Sequence, residues 1–128
     1  MLNFQRTFHL LGAAVLAITM LPAAADTSWP EQSVRLIVPY PAGGGTDFTT
    51  RLVASELSKL LGQDFIVENK TGAAGTIGAQ AVARSAPDGY TMMTIAVEFT
   101  INPALRKLPY DAIRDFTCVT QLTTSQYF

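Results

Sequence analysis

The sequence is poor in the side chains that carry most enzymatic chemistry. Among 128 residues there is one cysteine, Cys118, and one histidine, His9. One cysteine makes no internal disulfide, and there is no Cys/His cluster for zinc. Charge is sparse too: Lys plus Arg number 9, Asp plus Glu 10, and they are scattered. The lack of a basic stripe excludes an ordinary nucleic-acid surface. Long apolar runs are missing beyond the first 25 residues, so no later segment is apolar enough to cross a membrane as a helix. The length suits one domain with a modest core rather than two full ones.

The N-terminal 25 residues have a different character. "MLNFQRTFHL" carries Arg6 and no acid, "LLGAAVLAITML" is an apolar stretch from Leu10 to Leu21, and Ala23 and Ala25 stand in an A-x-A arrangement. This is the pattern of a cleavable secretory signal peptide, residues 1–25, with cleavage expected between Ala25 and Asp26. The apolar stretch is short for a bilayer span. Cleavage would remove Arg6 and His9. The mature chain, 26–128, then carries a net charge of about −2 and has no histidine, the commonest general base. Cys118, with no histidine to activate it, reads as a buried small hydrophobe.

The mature chain alternates two kinds of pattern. "SVRLIVPY" (Ser33 to Tyr40) reads as a buried strand. "PAGGGTD" follows, and Thr46 or Asp47 is the expected N-cap of a helix. Leu52, Val53, Leu57, Leu60 and Leu61 recur at helical spacing, and Lys59 and Gly62 mark the stop. The unit then repeats. "DFIVEN" (Asp64 to Asn69) is a second strand, "KTGAAGTIG" a second glycine loop, and Thr76 the expected cap of a helix through Ile77, Ala81 and Val82. "APDGY" is a turn. "YTMMTIAV" (Tyr90 to Val97) reads as a third strand, Glu98 to Asp111 as a loop with at most a short helical turn, and Asp115 to Leu122 as a fourth strand. Strands alternating with helices predict an α/β layer with a largely parallel sheet. Three loops then leave the carboxyl ends of strands: Pro41 to Asp47, Lys70 to Thr76, and Glu98 to Pro103. Open α/β sheets bind ligands at that edge.

Neither glycine loop fits a nucleotide motif. No lysine follows Gly43, Gly44 or Gly45 as a P-loop requires. The G-x-G-x-x-G pattern fails at Phe48 in the first loop and at Ala74 in the second. H-E-x-x-H and G-x-S-x-G are absent. An Asp47/Glu98 acid–base pair is the one enzymatic arrangement left open, and helix capping already accounts for Asp47. The first loop is also explicable as a plain strand-to-helix turn. Binding remains: glycine loops expose backbone N–H groups, and helix N-termini add partial positive charge. Two such termini facing one place suit a carboxylate. Lys70 is the only basic side chain in the three loops.

From Trp29 to about Thr120 the chain closely resembles the tripartite tricarboxylate transporter substrate-binding proteins, the Bug-type periplasmic receptors. The resemblance is carried by "WPEQSVRLIVPYPAGGGTDFTTRLVASELSKLLGQDFIVENKTGAAGTIGAQAVARSAPDGYTMM", "INPAL" and "LPYDAIRDF". It implies a type II periplasmic binding protein: two hinged α/β lobes closing over a small carboxylate, dicarboxylate, amino acid or aromatic acid. It implies transfer of that ligand to membrane permease subunits, no cofactor, no enzymatic activity, and a monomer at full length. Receptors of this family hold the ligand carboxylate through loop backbone and ordered water. Here the first family loop corresponds to Tyr40, Pro41, Ala42, Gly43, Gly44, Gly45, Thr46 and Asp47. The second corresponds to Gly72, Ala73, Ala74, Gly75 and Thr76. Glu98 lies where the family usually has a small polar residue. A charge there either faces solvent, the favoured reading, or meets a donor on the ligand. Because family members are longer, 26–128 is expected to be a first lobe without its second, truncated within the family fold. An inactive fragment is the alternative, and the lobe alone is expected to bind weakly or not at all.

Overall fold

The computed structural model describes residues 29–124. The expected signal peptide lies outside the described residues. The described chain runs β1 (Val34–Val38), α1 (Gly45–Leu61), β2 (Phe65–Asn69), a 3-10 turn (Ala73–Gly75), α2 (Thr76–Ala83), β3 (Thr91–Met93) and α3 (Val97–Leu105). The three strands form one parallel sheet in the order β2-β1-β3. Val34 pairs with Phe65 and Val38 with Asn69 on one side of β1, while Arg35 to Ile37 pair with Thr91 to Met93 on the other.

β1 is central because its sequence tolerates burial on both faces. Val34, Ile37 and Val38 are at most 1 % exposed. Burying such a side chain stabilises by roughly 1.5–3 kcal/mol relative to leaving it in water. Alternation along the strand splits the core in two. Val34 and Leu36 pack with Phe65 and with Ala54 of α1. Pro39, on the other parity, packs against Gly75 and Gly78 at the start of α2. Parallel crossovers are right-handed, so a chain that steps from β1 to β2 and then back across to β3 carries its two helices on opposite faces. The strand order reverses at β1, which puts the topological switch point between the carboxyl ends of β1 and β3.

Six expectations need correction. Thr46 and Asp47 are not N-caps: α1 starts one residue earlier, at Gly45, with Gly44 at the N-cap. Thr76 is not a cap either, since Gly75 holds that position in a left-handed conformation. Where the sequence predicts a loop from Glu98 to Asp111, the chain forms a nine-residue helix, α3, from Val97 to Leu105, with Pro103 inside it. Pro103 reads as a breaker, and the helix does end two residues beyond it. The fourth strand does not form. Residues 115–122 are irregular and largely exposed, and Cys118 among them is exposed rather than buried. β3 is also short, at three residues. A strand needs a neighbour for its backbone groups, and beyond β3 the described residues supply none.

α1 buries its small residues. Thr50 and Ala54 are buried, whereas Leu52 and Leu60 of the helical apolar pattern are exposed. Gly62 ends the helix at φ 71°, donating its N–H to Ser58 O at 3.0 Å, a conformation glycine adopts without a Cβ clash.

Candidate functional site

The first loop is closed by a side-chain latch. Asp47 sits in the first turn of α1 and is buried at 3 % exposure. Its Oδ2 accepts from Gly43 N–H at 2.9 Å and from Arg51 Nε at 3.0 Å, and its Oδ1 accepts from Asn69 Nδ2 at 2.8 Å. Asn69 Nδ2 also donates to Tyr40 O at 3.1 Å, and Asn69 Oδ1 accepts from Arg51 Nη2 at 2.8 Å. Arg51, the Gly43 amide and Asn69 together hold the Asp47 carboxyl well below the usual carboxylate range. Gly43, at φ 81°, turns the chain so that its N–H reaches that carboxylate. Because Asn69 ends β2, the latch ties the first loop to the root of the second.

The second loop is held differently. Gly72, Ala73, Ala74 and Gly75 all have positive φ, at 123°, 48°, 53° and 85°. Each left-handed alanine costs roughly 1–2 kcal/mol. Backbone bonds fold the loop inward: Gly75 N–H and Ile77 N–H donate to Gly72 O, and Thr76 N–H donates to Ala73 O. Some amides at the start of α2 are therefore already engaged. A Cβ on Gly72 would lie 2.5 Å from Ile77 Cδ1, the movable end of an exposed side chain, so it is the φ of 123° rather than this contact that calls for glycine. Asn102 of α3, 3 % exposed, donates from Nδ2 to Ala74 O at 2.9 Å.

The segment between β3 and α3 meets the first loop at the switch point. Ala96 N–H donates to Tyr40 Oη at 3.0 Å. Burial pushes the Tyr40 phenol up, the Ala96 N–H opposes that, and the nearby Glu98 carboxylate adds to the rise. Behind these contacts, Pro39, Tyr40, Ala74, Gly75, Phe99, Asn102 and Tyr110 line a crevice with no room for a water molecule. Phe99, Tyr110 and Phe116 close it with ring centroids 5.1–6.1 Å apart. The thirteen loop residues expected at the site, Tyr40 to Asp47 and Gly72 to Thr76, thus fall on neighbouring loops, with Glu98 exposed on the first turn of α3. Pro41, Ala42, Gly43, Gly44, Gly45, Gly72, Ala73 and Ala74 are exposed, Tyr40 and Thr76 are half-buried, and Asp47 is turned away into its latch.

None of the three helices has a side-chain hydrogen bond at its N-cap; Gly44, Gly75 and Ala96 occupy these positions. At α1 this leaves backbone donors for an anion, whereas at α2 the Gly75, Thr76 and Ile77 amides are already engaged. Asp47 and Glu98 do not work as an acid–base pair. Asp47 is kept ionised and fully occupied by its own partners, so it has no proton to give and little basicity to take one. No cluster of three or more metal-ligating side chains exists among the described residues. Arg51, Asn69 and Asn102 were not among the expected site residues. Asn69 alone had a usable signal, a polar side chain at the last position of a strand, just before a glycine loop.

A parallel β2-β1-β3 sheet with flanking helices and its loops gathered at one edge is the architecture of a type II periplasmic binding protein lobe, here incomplete. The chain belongs to the tripartite tricarboxylate transporter family receptor family, whose profile matches residues 49–128. It is similar to protein BugT of Bordetella pertussis, with 34% identity over 128 residues, covering 94% of this chain and 38% of that one. Among solved structures it is similar to the periplasmic binding protein BugD, with 43% identity and a TM-score of 0.65, over 69% of this chain and 30% of that one. It also resembles MatC of Rhodopseudomonas palustris with bound malate, with 38% identity and a TM-score of 0.67, over 73% and 33% of the two chains. The chain spans about a third of the length of the curated relatives it matches.

Proposed function

We propose that this chain supplies the first lobe of a periplasmic solute receptor in a tripartite tricarboxylate transport system. The lobe takes one carboxylate of a small organic acid on the backbone of its two glycine loops, and the receptor delivers the acid to membrane permease subunits. The observation that carries this reading is the convergence on one sheet edge of two glycine loops whose Gly43, Gly44, Gly45 and Gly72 are exposed to solvent, the first of them leading into an uncapped helix start. Backbone donors and helix dipoles favour an anion there without an arginine. The malate held by MatC and the adipate held by another R. palustris protein of 45% identity fit the same chemistry. Export by residues 1–25 and residence in the periplasm belong to this proposal.

The test is an NMR titration of malate into the full chain. One lobe encloses a ligand on one side only, so the expected affinity is weak, on the order of 1 mM. Shifts should concentrate on the amides of Gly43 to Thr46 and Gly72 to Gly75. The dimethyl ester of malate, which has no charge, should move none of them. Equal shifts with acid and ester, or no loop shifts at saturating malate, would overturn the assignment.

A further inference from the structure

We propose that Asn102 is a positioning residue for the second glycine loop. Its role rests on the binding assignment above, but the geometry behind it involves no ligand. The loop runs through four successive positive-φ residues, two of them alanines, and L-residues with a Cβ disfavour that conformation. A segment strained in this way persists only when its surroundings over-determine it. The loop's own backbone bonds are accepted by Gly72 O and Ala73 O. From outside the loop, the Asn102 amide reaches Ala74 O at 2.9 Å, and Asn102 is itself buried in α3. α3 is in turn tied to the first loop through Ala96 N–H and Tyr40 Oη, one residue before its first turn. A side chain outside the glycine loop therefore sets the loop's backbone, and it does so from the element that also borders the first loop.

Amide hydrogen exchange on the full chain tests this, comparing Asn102→Asp with the parent. The substitution keeps the side chain's shape and removes the N–H donor. Losing one buried hydrogen bond should speed exchange of the Gly75 to Ile77 amides about tenfold, with Leu36 and Ile37 in β1 unchanged. Adding Ala74→Gly, which removes the Cβ penalty, should recover about threefold of that protection. Equal loss of protection in loop and β1 would reduce Asn102 to a core hydrogen bond and overturn the proposal, as would unchanged loop exchange. If Asn102→Asp does not fold, Ala74→Gly alone decides. It should raise the melting temperature by about 3 °C if the loop is held against strain, and a lowered value would overturn the proposal. Malate plays no part in these measurements, so failure of the NMR titration would leave them standing, and their failure would leave the titration standing.

Discussion

The two glycine loops look alike in sequence and are held by different physics. The first, ahead of α1, has a single positive-φ residue up to the helix start, Gly43, and is fastened by charge: Asp47 gathers the Gly43 amide, Arg51 and Asn69. The second, ahead of α2, has four successive positive-φ residues and is fastened by shape and by a neutral amide, Asn102. A glycine-rich turn is thus a statement about where backbone is exposed, not about what holds it. The first loop should answer to pH and the second to added volume.

The sharpest way to break this comparison is to place the same substitution in the first turn of the helix that follows each loop. A Cβ at Gly78, where α2 sits on the end of β1, would lie 2.8 Å from Lys70 O and 2.8 Å from Pro39 Cβ. Both neighbours are backbone or ring and cannot rotate away. Gly78→Ala should cost about 3 kcal/mol, lowering the melting temperature by more than about 10 °C. A Cβ at Gly45 meets nothing within 4 Å and its φ is not positive. Gly45→Ala should stay within about 0.5 kcal/mol of the parent. Thermal melts of the two variants side by side check both. Similar losses would mean that the two helix starts are packed alike.

The electrostatic latch is tested by Asp47→Asn. The folded-state pKa of Asp47 lies below its ordinary 3.8, so ionised Asp47 stabilises the fold. That contribution is fully present above the unfolded value and is lost as pH falls from about 4 through the lower, folded value. Asp47→Asn should therefore be less stable than the parent at pH 7, and the gap should close as pH falls below 4. Urea melts at pH 7 and pH 3 measure it. A gap that stays constant with pH would show that the charge on Asp47 contributes nothing.

The parallel order of strands was legible because β1 and β2 are short apolar runs, each followed by glycines and then a helical repeat. That the two glycine loops share one edge was legible too, since strand-to-helix loops in a parallel sheet leave the same ends of their strands. What escaped the sequence reading depends on contacts between distant residues. Asn69 and Asp47 are 22 positions apart, and Asn102 and Ala74 are 28 apart. Nothing local marks either pair. α3 escaped because Pro103 signals a break, although the proline lies in the last turn, close to where the helix ends anyway. The fourth strand was over-read from β-branched residues at 115–122. A strand forms only where a neighbour completes its hydrogen bonds. Helical periodicity also misjudged α1, whose Leu52 and Leu60 point outward while Thr50 and Ala54 take the contact with the sheet.

The smallest effect belongs to a charge pair that fastens neither loop. Arg35 on β1 meets Glu68 on β2 in a forked pair, Nε to Oε1 at 2.7 Å and Nη2 to Oε2 at 2.8 Å. The geometry is good, but the two side chains are 46% and 37% exposed, so water screens most of the attraction. Arg35 also holds the Glu68 carboxyl below its ordinary range, so the pair has the same pH sign as the latch, stabilising above the unfolded Glu value of 4.5 and fading below it. Glu68→Gln should cost about 0.5 kcal/mol at pH 7, and 0.5 M salt should erase most of that. Asp47→Asn should keep most of its penalty in the same salt, because the Asp47 carboxylate is buried among its donors. If both penalties vanish together in salt, Asp47 behaves as a surface charge, and the contrast between an electrostatic first loop and a steric second loop is lost.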